Sequence, residues 1–192
     1  MIEGWCKGAG LEHLIAITEP TSPHTAAEGA EMLRSQIESF GWGSNGKKFS
    51  VMAKSWSGII VNIMLAGAAR DPDKTFRQHV RSVVLVHPSY RADIPAHRQD
   101  IHDAYAGLPL CLAWAKNDQK MSYSWSSAYL EADTSALTFV QYGNGTVGLD
   151  GNGGHAAWPE FDDDAFAFLT TRLETLDIER EVKFSPPAKA RL

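Results

Sequence analysis

A serine flanked by small residues is the first feature of this sequence that could do chemistry. Ser55 lies in the segment AKSWSG, which runs from Ala53 to Gly58, between a strand-like run and an apolar, helix-like run. This pattern predicts a sharp strand-to-helix turn with the serine hydroxyl at its tip. Such a turn needs small residues two positions before and after the nucleophile, and Ala53 and Ser57 are both small. The segment therefore predicts that Ser55 is a nucleophile.

Two other interpretations of this segment are simpler. A serine at a helix start commonly caps the helix with its hydroxyl and has no further role. Ser57 is the other nearby serine, but as a nucleophile it would place Ile59 where a small residue is required. The strand, the turn and the apolar helix around Ser55 favour it over both alternatives.

The elements that must position this serine alternate along the chain. Apolar runs predict five strands, at 14–17, 49–53, 83–86, 110–114 and 137–141. Uninterrupted apolar strands separated by helices indicate a parallel sheet with helices on both faces. The expected fold class is therefore α/β, with three layers.

Helical periodicity predicts the elements that cover the sheet. Residues 30–40 carry apolar side chains at helical spacing, with Phe40 as the last member of the stripe. Residues 59–69 are apolar nearly all round, which a helix tolerates only when it is buried. A polar helix is predicted around 124–130, and a last amphipathic helix over 165–176.

The segment from Lys54 to Trp56 resembles the nucleophile elbow of dienelactone-hydrolase-like members of the α/β-hydrolase superfamily. The order of elements over residues 14–175 is similar to the C-terminal part of that fold. The resemblance implies two further residues, in the chain order nucleophile, acid, histidine. Asp118 follows the fourth predicted strand, and His155 lies in a glycine-rich segment before the last predicted helix.

This resemblance implies a serine hydrolase that acts on a small carboxylic ester, lactone or thioester. His155 would accept the proton of the Ser55 hydroxyl, and Asp118 would fix the imidazole tautomer. The backbone N–H of Trp56 would donate to the developing oxyanion. An acyl-enzyme would form and then be hydrolysed by water. An acyltransferase would use the same triad, because only the acceptor differs.

The front of the fold is short compared with the α/β-hydrolase pattern, so the chain is expected to lack the first strands. The loop that normally gives the second oxyanion donor carries an HG-type segment, and no such segment precedes Leu14. The sequence fits both a chain that begins at an internal Met1 of a longer parent and a naturally reduced form. The alternative function is a catalytically silent hydrolase-like domain that binds a ligand or a partner.

Four further residues are candidates for the lining of a substrate pocket: Lys54, His87, Tyr90 and Trp158. For each of them, ordinary packing in a loop or in the core is the alternative. The stretch 88–108 is too short for a full cap domain, which predicts a small, open pocket for a small acyl substrate.

Neither a cofactor nor a metal is expected from the sequence. The histidine and aspartate residues within 97–103 fit no standard metal-ligand spacing. The glycines within 143–154 form no strand-to-helix phosphate loop. The chain has 18 basic against 23 acidic residues, and this balance argues against a nucleic-acid partner. No apolar run reaches the 18 residues that a membrane span needs, so no membrane partner is expected.

The length of 192 residues gives room for one domain, expected over 1–176, with a flexible tail over 177–192. Cys6 and Cys111 cannot form a disulfide framework, and no secretory pattern is present, so a cytoplasmic protein is expected. The terminal tripeptide ARL resembles a peroxisomal address, which is the alternative location in a eukaryote. The sequence carries no signal for an oligomeric state.

Overall fold

The computed structural model describes residues 25–42, 48–73, 75–142, 154–156 and 181–184. The α-helices are α1 (Ala26–Ser39), α2 (Ser57–Arg70), α3 (Thr75–Gln78), α4 (Pro95–Tyr105) and α5 (Ser126–Leu130). Short 3-10 turns lie at Tyr123–Trp125 and Gly154–Ala156. The strands are β1 (Phe49–Lys54), β2 (Val80–Val86), β3 (Pro109–Ala115), β4 (Ala136–Tyr142) and β5 (Glu181–Phe184).

The strands form one sheet in the order β1-β2-β3-β4-β5, with every neighbouring pair parallel. Strands β2 and β3 are buried along nearly their whole length, as expected for central strands of a parallel sheet. Helix α2 packs against α1, α4 and β1. The α/β fold class is confirmed. Among the described helices, none is long and apolar enough to cross a membrane.

Four of the predicted strands correspond to β1, β2, β3 and β4, each slightly longer than its apolar run. The strand predicted at 14–17 and the helix predicted over 165–176 lie outside the described residues. The helix α4 was not among the predicted elements. It begins with a proline at a first-turn position and buries only Ile101, Ala104 and Tyr105, so its periodicity is weak in the sequence.

Strand β5 lies within the segment 177–192 that was predicted to be a flexible tail, of which the structure describes 181–184. Its backbone pairs with β4, with Glu181 opposite Leu137 and Phe184 opposite Val140. Charged and apolar residues alternate over these four positions, which is the pattern of a half-buried strand. A run this short cannot be separated from a polar tail by periodicity alone.

Helix α1 confirms the predicted stripe except at its last member. Thr25 and Glu28 form a capping box, in which each side chain accepts a hydrogen bond from the other residue's backbone N–H. The stripe residues Ala30, Leu33 and Ile37 are buried, whereas Phe40 is 53% exposed. Phe40 follows the last helical residue, and the chain then turns through Gly41 at φ 73°, so the helical phase is lost there.

A buried polar network joins α2, α4 and α5. The Asn62 side-chain amide donates to the Tyr129 hydroxyl at 2.8 Å, and the Tyr105 hydroxyl donates to the amide oxygen of Asn62 at 2.5 Å. All three side chains are fully buried. Each hydroxyl therefore depends on Asn62 to replace the water that it loses on folding.

Replacing Asn62 by leucine is expected to destabilise the fold by about 1–3 kcal/mol for each hydroxyl left without its partner. Urea unfolding measures this loss. The triple variant Asn62→Leu, Tyr105→Phe, Tyr129→Phe is the control, because it removes the stranded hydroxyls and should recover most of the stability. A single variant as stable as the wild type would contradict the role given to the network.

Candidate active site

Ser55 occupies the turn between β1 and α2 in a strained backbone conformation. Its φ is 52°, which L side chains rarely adopt. The Ser55 N–H donates to the carbonyl of Val86 at 3.0 Å, and the N–H of Ser89 donates to the carbonyl of Ser55 at 2.8 Å. These bonds fix the turn to the end of β2. The surrounding structure thus holds a conformation that the isolated turn would not favour.

Helix α2 approaches the segment after β2 closely at Gly58. A Cβ atom built on Gly58 would lie 2.6 Å from Cβ and 2.8 Å from Cα of Pro88. The sequence analysis placed the steric demand at Ala53 and Ser57, and the structure adds one at Gly58. The absence of a side chain at Gly58 allows α2 to start directly against the end of β2.

Replacing Gly58 by alanine is expected to destabilise the fold by about 1–3 kcal/mol, because the new methyl group overlaps the backbone of Pro88. Gly67→Ala is the matched control in the same helix. A Cβ at Gly67 meets nothing within 4 Å, so this change should stabilise the fold by about 0.5–1 kcal/mol. Urea unfolding of both variants tests the pair. If Gly58→Ala is as stable as Gly67→Ala, the steric interpretation is wrong.

His155 lies between the serine and the aspartate. Its Nε2 is 2.8 Å from Oγ of Ser55, and its Nδ1 is 2.9 Å from Oδ2 of Asp118. An ionised carboxylate only accepts hydrogen bonds, so Nδ1 carries the proton and donates to Asp118. Nε2 then has a lone pair for the proton of the Ser55 hydroxyl. The structure therefore brings together the three side chains that the sequence analysis grouped.

Asp118 is held by its other oxygen as well. Oδ1 accepts the backbone N–H groups of Lys120 and Met121, each at 2.8 Å. Burial alone raises the pKa of the Asp118 carboxyl. The hydrogen bonds from His155 and Met121 outweigh burial and hold that pKa below its ordinary value of 3.8. The carboxylate is therefore ionised at neutral pH.

Gly154 allows His155 to reach this position. Its N–H donates to the carbonyl of Asn117 at 3.0 Å. A Cβ on Gly154 would lie 2.2 Å from Oδ1 of Asn117 and 2.7 Å from Cβ of Ala115. Only glycine permits this close approach, so the histidine segment is fixed against the loop that carries the aspartate.

The amide of Trp56 is the predicted oxyanion donor, and it lies directly after the serine, at the N-terminal end of α2. Amides at a helix start have no partner within the helix. In the part of the chain that the structure describes, the Trp56 N–H has no hydrogen-bond acceptor. This N–H is therefore available to an oxygen that gains negative charge beside Ser55.

His87 contacts the aspartate, which the sequence analysis did not foresee. It follows β2 at φ 36°, is fully buried, and its N–H donates to the carbonyl of Ala113 at 2.9 Å. Its Nδ1 lies 3.3 Å from Oδ2 of Asp118. The one available signal was a histidine directly after the most apolar strand, where site residues of parallel sheets collect.

Of the other candidate pocket residues, the structure describes Tyr90 and Lys54. The Tyr90 hydroxyl donates to Asp100 at 2.5 Å, and its ring stacks on that of His97 with centroids 4.2 Å apart. Tyr90 is therefore buried against α4. Lys54 is half-buried at the end of β1. Trp158 lies outside the described residues.

The site joins an alcohol, an imidazole and an ionised carboxylate in one hydrogen-bonded chain. Such a chain can remove the alcohol's proton as the oxygen attacks an electrophile, and can return that proton to a leaving group. Comparisons with protein-family models, with curated proteins and with solved structures found no match for this chain. The functional interpretation therefore depends on the geometry of the site.

Proposed function

We propose that the protein is a serine hydrolase with an α/β-hydrolase-like fold that cleaves a small carboxylic ester, lactone or thioester. One observation carries this proposal: His155 contacts both of the other two side chains. Its Nε2 is 2.8 Å from Oγ of Ser55, and its Nδ1 is 2.9 Å from Oδ2 of Asp118. Both contacts are within hydrogen-bond reach, the distance that proton transfer between a nucleophile and its base requires.

The first half of the reaction transfers the acyl group to the enzyme. Ser55 Oγ attacks the carbonyl carbon while its proton passes to Nε2 of His155. The imidazolium that forms is stabilised by the carboxylate of Asp118, which stays ionised. The Trp56 N–H donates to the oxyanion. Nε2 then gives its proton to the leaving alcohol or thiol, and the carbon–heteroatom bond breaks.

The second half releases the acid. A water molecule gives a proton to Nε2 of His155 and attacks the acyl carbon, and the bond from that carbon to Ser55 breaks as Nε2 returns the proton to Oγ. A different acceptor in place of water would give acyl transfer on the same residues. The proposal takes water as the acceptor.

The place of these residues in the sheet also supports the proposal. Ser55 follows β1, His87 follows β2 and Asp118 follows β3, and all three strands are parallel. In parallel α/β sheets, ligands bind at the carboxyl ends of the strands. Helix α4, which occupies most of the stretch 88–108, packs against α2. This placement is consistent with a site that has no cap domain and takes modest substrates.

Hydrolysis of p-nitrophenyl acetate tests the proposal. The wild type is expected to release p-nitrophenolate with turnover, and His155→Gln should reduce kcat by at least about 10³-fold, because the serine then has no base. Ser57→Ala is the matched control, since it removes the neighbouring hydroxyl and should retain turnover. Equal activity of the wild type and His155→Gln would reject the triad.

One sequence observation favours the second candidate, a silent domain that binds a ligand. The printed sequence contains no HG dipeptide, the segment that commonly gives the second oxyanion donor. Loss of one such donor costs about 2.7–4 kcal/mol of transition-state stabilisation. A folded protein with no turnover of any activated ester would favour this candidate.

A further inference from the structure

Three buried side chains converge on one carboxylate oxygen. His87 Nδ1 lies 3.3 Å and His155 Nδ1 lies 2.9 Å from Oδ2 of Asp118. Each of the three residues offers one atom that can bind a metal, and these atoms all lie within 4.8 Å of one another. Two imidazole nitrogens and one carboxylate oxygen are a common ligand set for zinc.

The contact between His87 and Asp118 offers a cation one atom from each side chain. The N–H of Ala115 lies 3.4 Å from Nδ1 of His87, in a long hydrogen bond that this nitrogen accepts. The same nitrogen lies 3.3 Å from Oδ2 of Asp118, so a cation between the two atoms would be attracted by both. The Ala115 bond is long and therefore weak, so a stronger ligand interaction can replace it.

Two of the three spacings are close to those at a metal ion, and the third, between the two imidazole nitrogens, is within 4.8 Å. Two ligand atoms that bind one tetrahedral zinc ion at ordinary bond lengths are about 3.4 Å apart. The separation from His87 to Asp118 is 3.3 Å, and the one from His155 to Asp118 needs to lengthen only slightly from 2.9 Å. The sequence does not reveal this set of ligands, because they come from three separate places. His87 follows β2, Asp118 follows β3, and His155 lies in the 3-10 turn Gly154–Ala156.

We infer that His87 Nδ1, Asp118 Oδ2 and His155 Nδ1 form a zinc-binding site, with water as the fourth ligand. Zinc sites with three protein ligands and one water are common. The binding part of this inference rests on the ligand geometry alone.

Zinc binding at His155 and activation of Ser55 by His155 exclude each other. This second conclusion rests on the proposed function. Zinc at Nδ1 of His155 displaces the proton that Nδ1 donates to Asp118. The neutral imidazole then carries its proton on Nε2, where it donates to Ser55 Oγ and cannot accept the serine proton. Bound zinc is therefore expected to inhibit the hydrolase reversibly, and a chelator is expected to restore it.

Zinc binding to the full-length chain, freed of metal by dialysis against chelator, tests the site. Competition with a chromophoric zinc indicator is expected to give one ion per wild-type chain. His87→Gln and Asp118→Asn should each weaken binding by at least about 10- to 100-fold, the loss seen when even a residue that only orients a ligand is removed. Ser55→Ala and His102→Gln are the controls and should bind zinc as the wild type does, since neither residue is a ligand.

Two results would overturn the site: no stoichiometric binding by the wild type, or binding that His87→Gln leaves unchanged. X-ray absorption of the zinc-loaded wild type needs no variant, so it decides the question even where a variant fails to fold. Two imidazoles and one carboxylate are expected, and a sulfur ligand would overturn the site. If the protein binds zinc but hydrolyses no ester, the zinc site stands and the proposed hydrolase function is rejected. If it hydrolyses an ester but binds no zinc, the function stands and the zinc site is rejected.

Discussion

An Asp118→Asn variant is expected to lose about 10⁴-fold in kcat while it keeps its fold. The amide oxygen can still accept the N–H groups of Lys120 and Met121, which the carboxylate Oδ1 accepts in the wild type. The amide nitrogen, however, donates toward Nδ1 of His155 and favours the tautomer with the proton on Nε2. His155 then cannot accept the proton of Ser55.

Steady-state hydrolysis of p-nitrophenyl acetate measures this loss. Asp103→Asn is the matched control, because Asp103 lies in α4 and pairs with Arg70 at 2.5 Å. This variant should have a kcat within about twofold of the wild type. A kcat for Asp118→Asn within tenfold of the wild type would show that the carboxylate does not set the tautomer of the histidine.

A Ser55→Ala variant is expected to lose about 10⁶-fold in kcat, because no covalent acyl-enzyme can form. Its stability should stay close to that of the wild type, since alanine bears the same strain at φ 52°. Ser55→Gly should be equally inactive but more stable, by about 1 kcal/mol, because glycine adopts positive φ without that cost. Turnover and urea unfolding of both variants measure the two effects.

The two readouts for Ser55 separate catalysis from folding. If Ser55→Ala retained turnover, the nucleophile would be another residue. If Ser55→Gly were less stable than the wild type, the side chain would be stabilising the turn, as a capping serine does.

Strands β2 and β3 could be predicted from the sequence because their side chains are buried on both faces of the sheet. The runs that became β2 and β3 are apolar without interruption, and this pattern requires only local information. Helix α4 and strand β5 give no such signal. In α4 the buried residues are few, and β5 is four residues long, so both depend on tertiary packing and on pairing with β4.

The site was predictable in part. Ser55 stands out because small residues surround it at a strand-to-helix junction. Asp118 and His155 were grouped with it only through the family resemblance and its chain order. The distances among Ser55, Asp118 and His155 depend on which strands are neighbours and on close approaches such as that of Gly154 to Asn117. No local sequence pattern encodes either of these.

The contact between His87 and Asp118 is a clearer example of a feature that local sequence patterns do not predict. The two residues are 31 positions apart in the sequence, and they meet because β2 and β3 are adjacent and parallel. Strand order is a property of the whole sheet, so the sequence could mark His87 as a residue near the site but not as a neighbour of the acid.

The most direct test of the central claim is to label the protein with a fluorophosphonate probe and map the adduct. Trypsin cleaves after Lys54 and Arg70, so the peptide over 55–70 carries both Ser55 and Ser57, and its fragment ions separate them. The adduct is expected on Ser55 in the native protein and should be absent after heat denaturation, in Ser55→Ala and in His155→Gln. An adduct on Ser57, or labelling that persists in Ser55→Ala, would contradict the claim that His155 and Asp118 make Ser55 reactive.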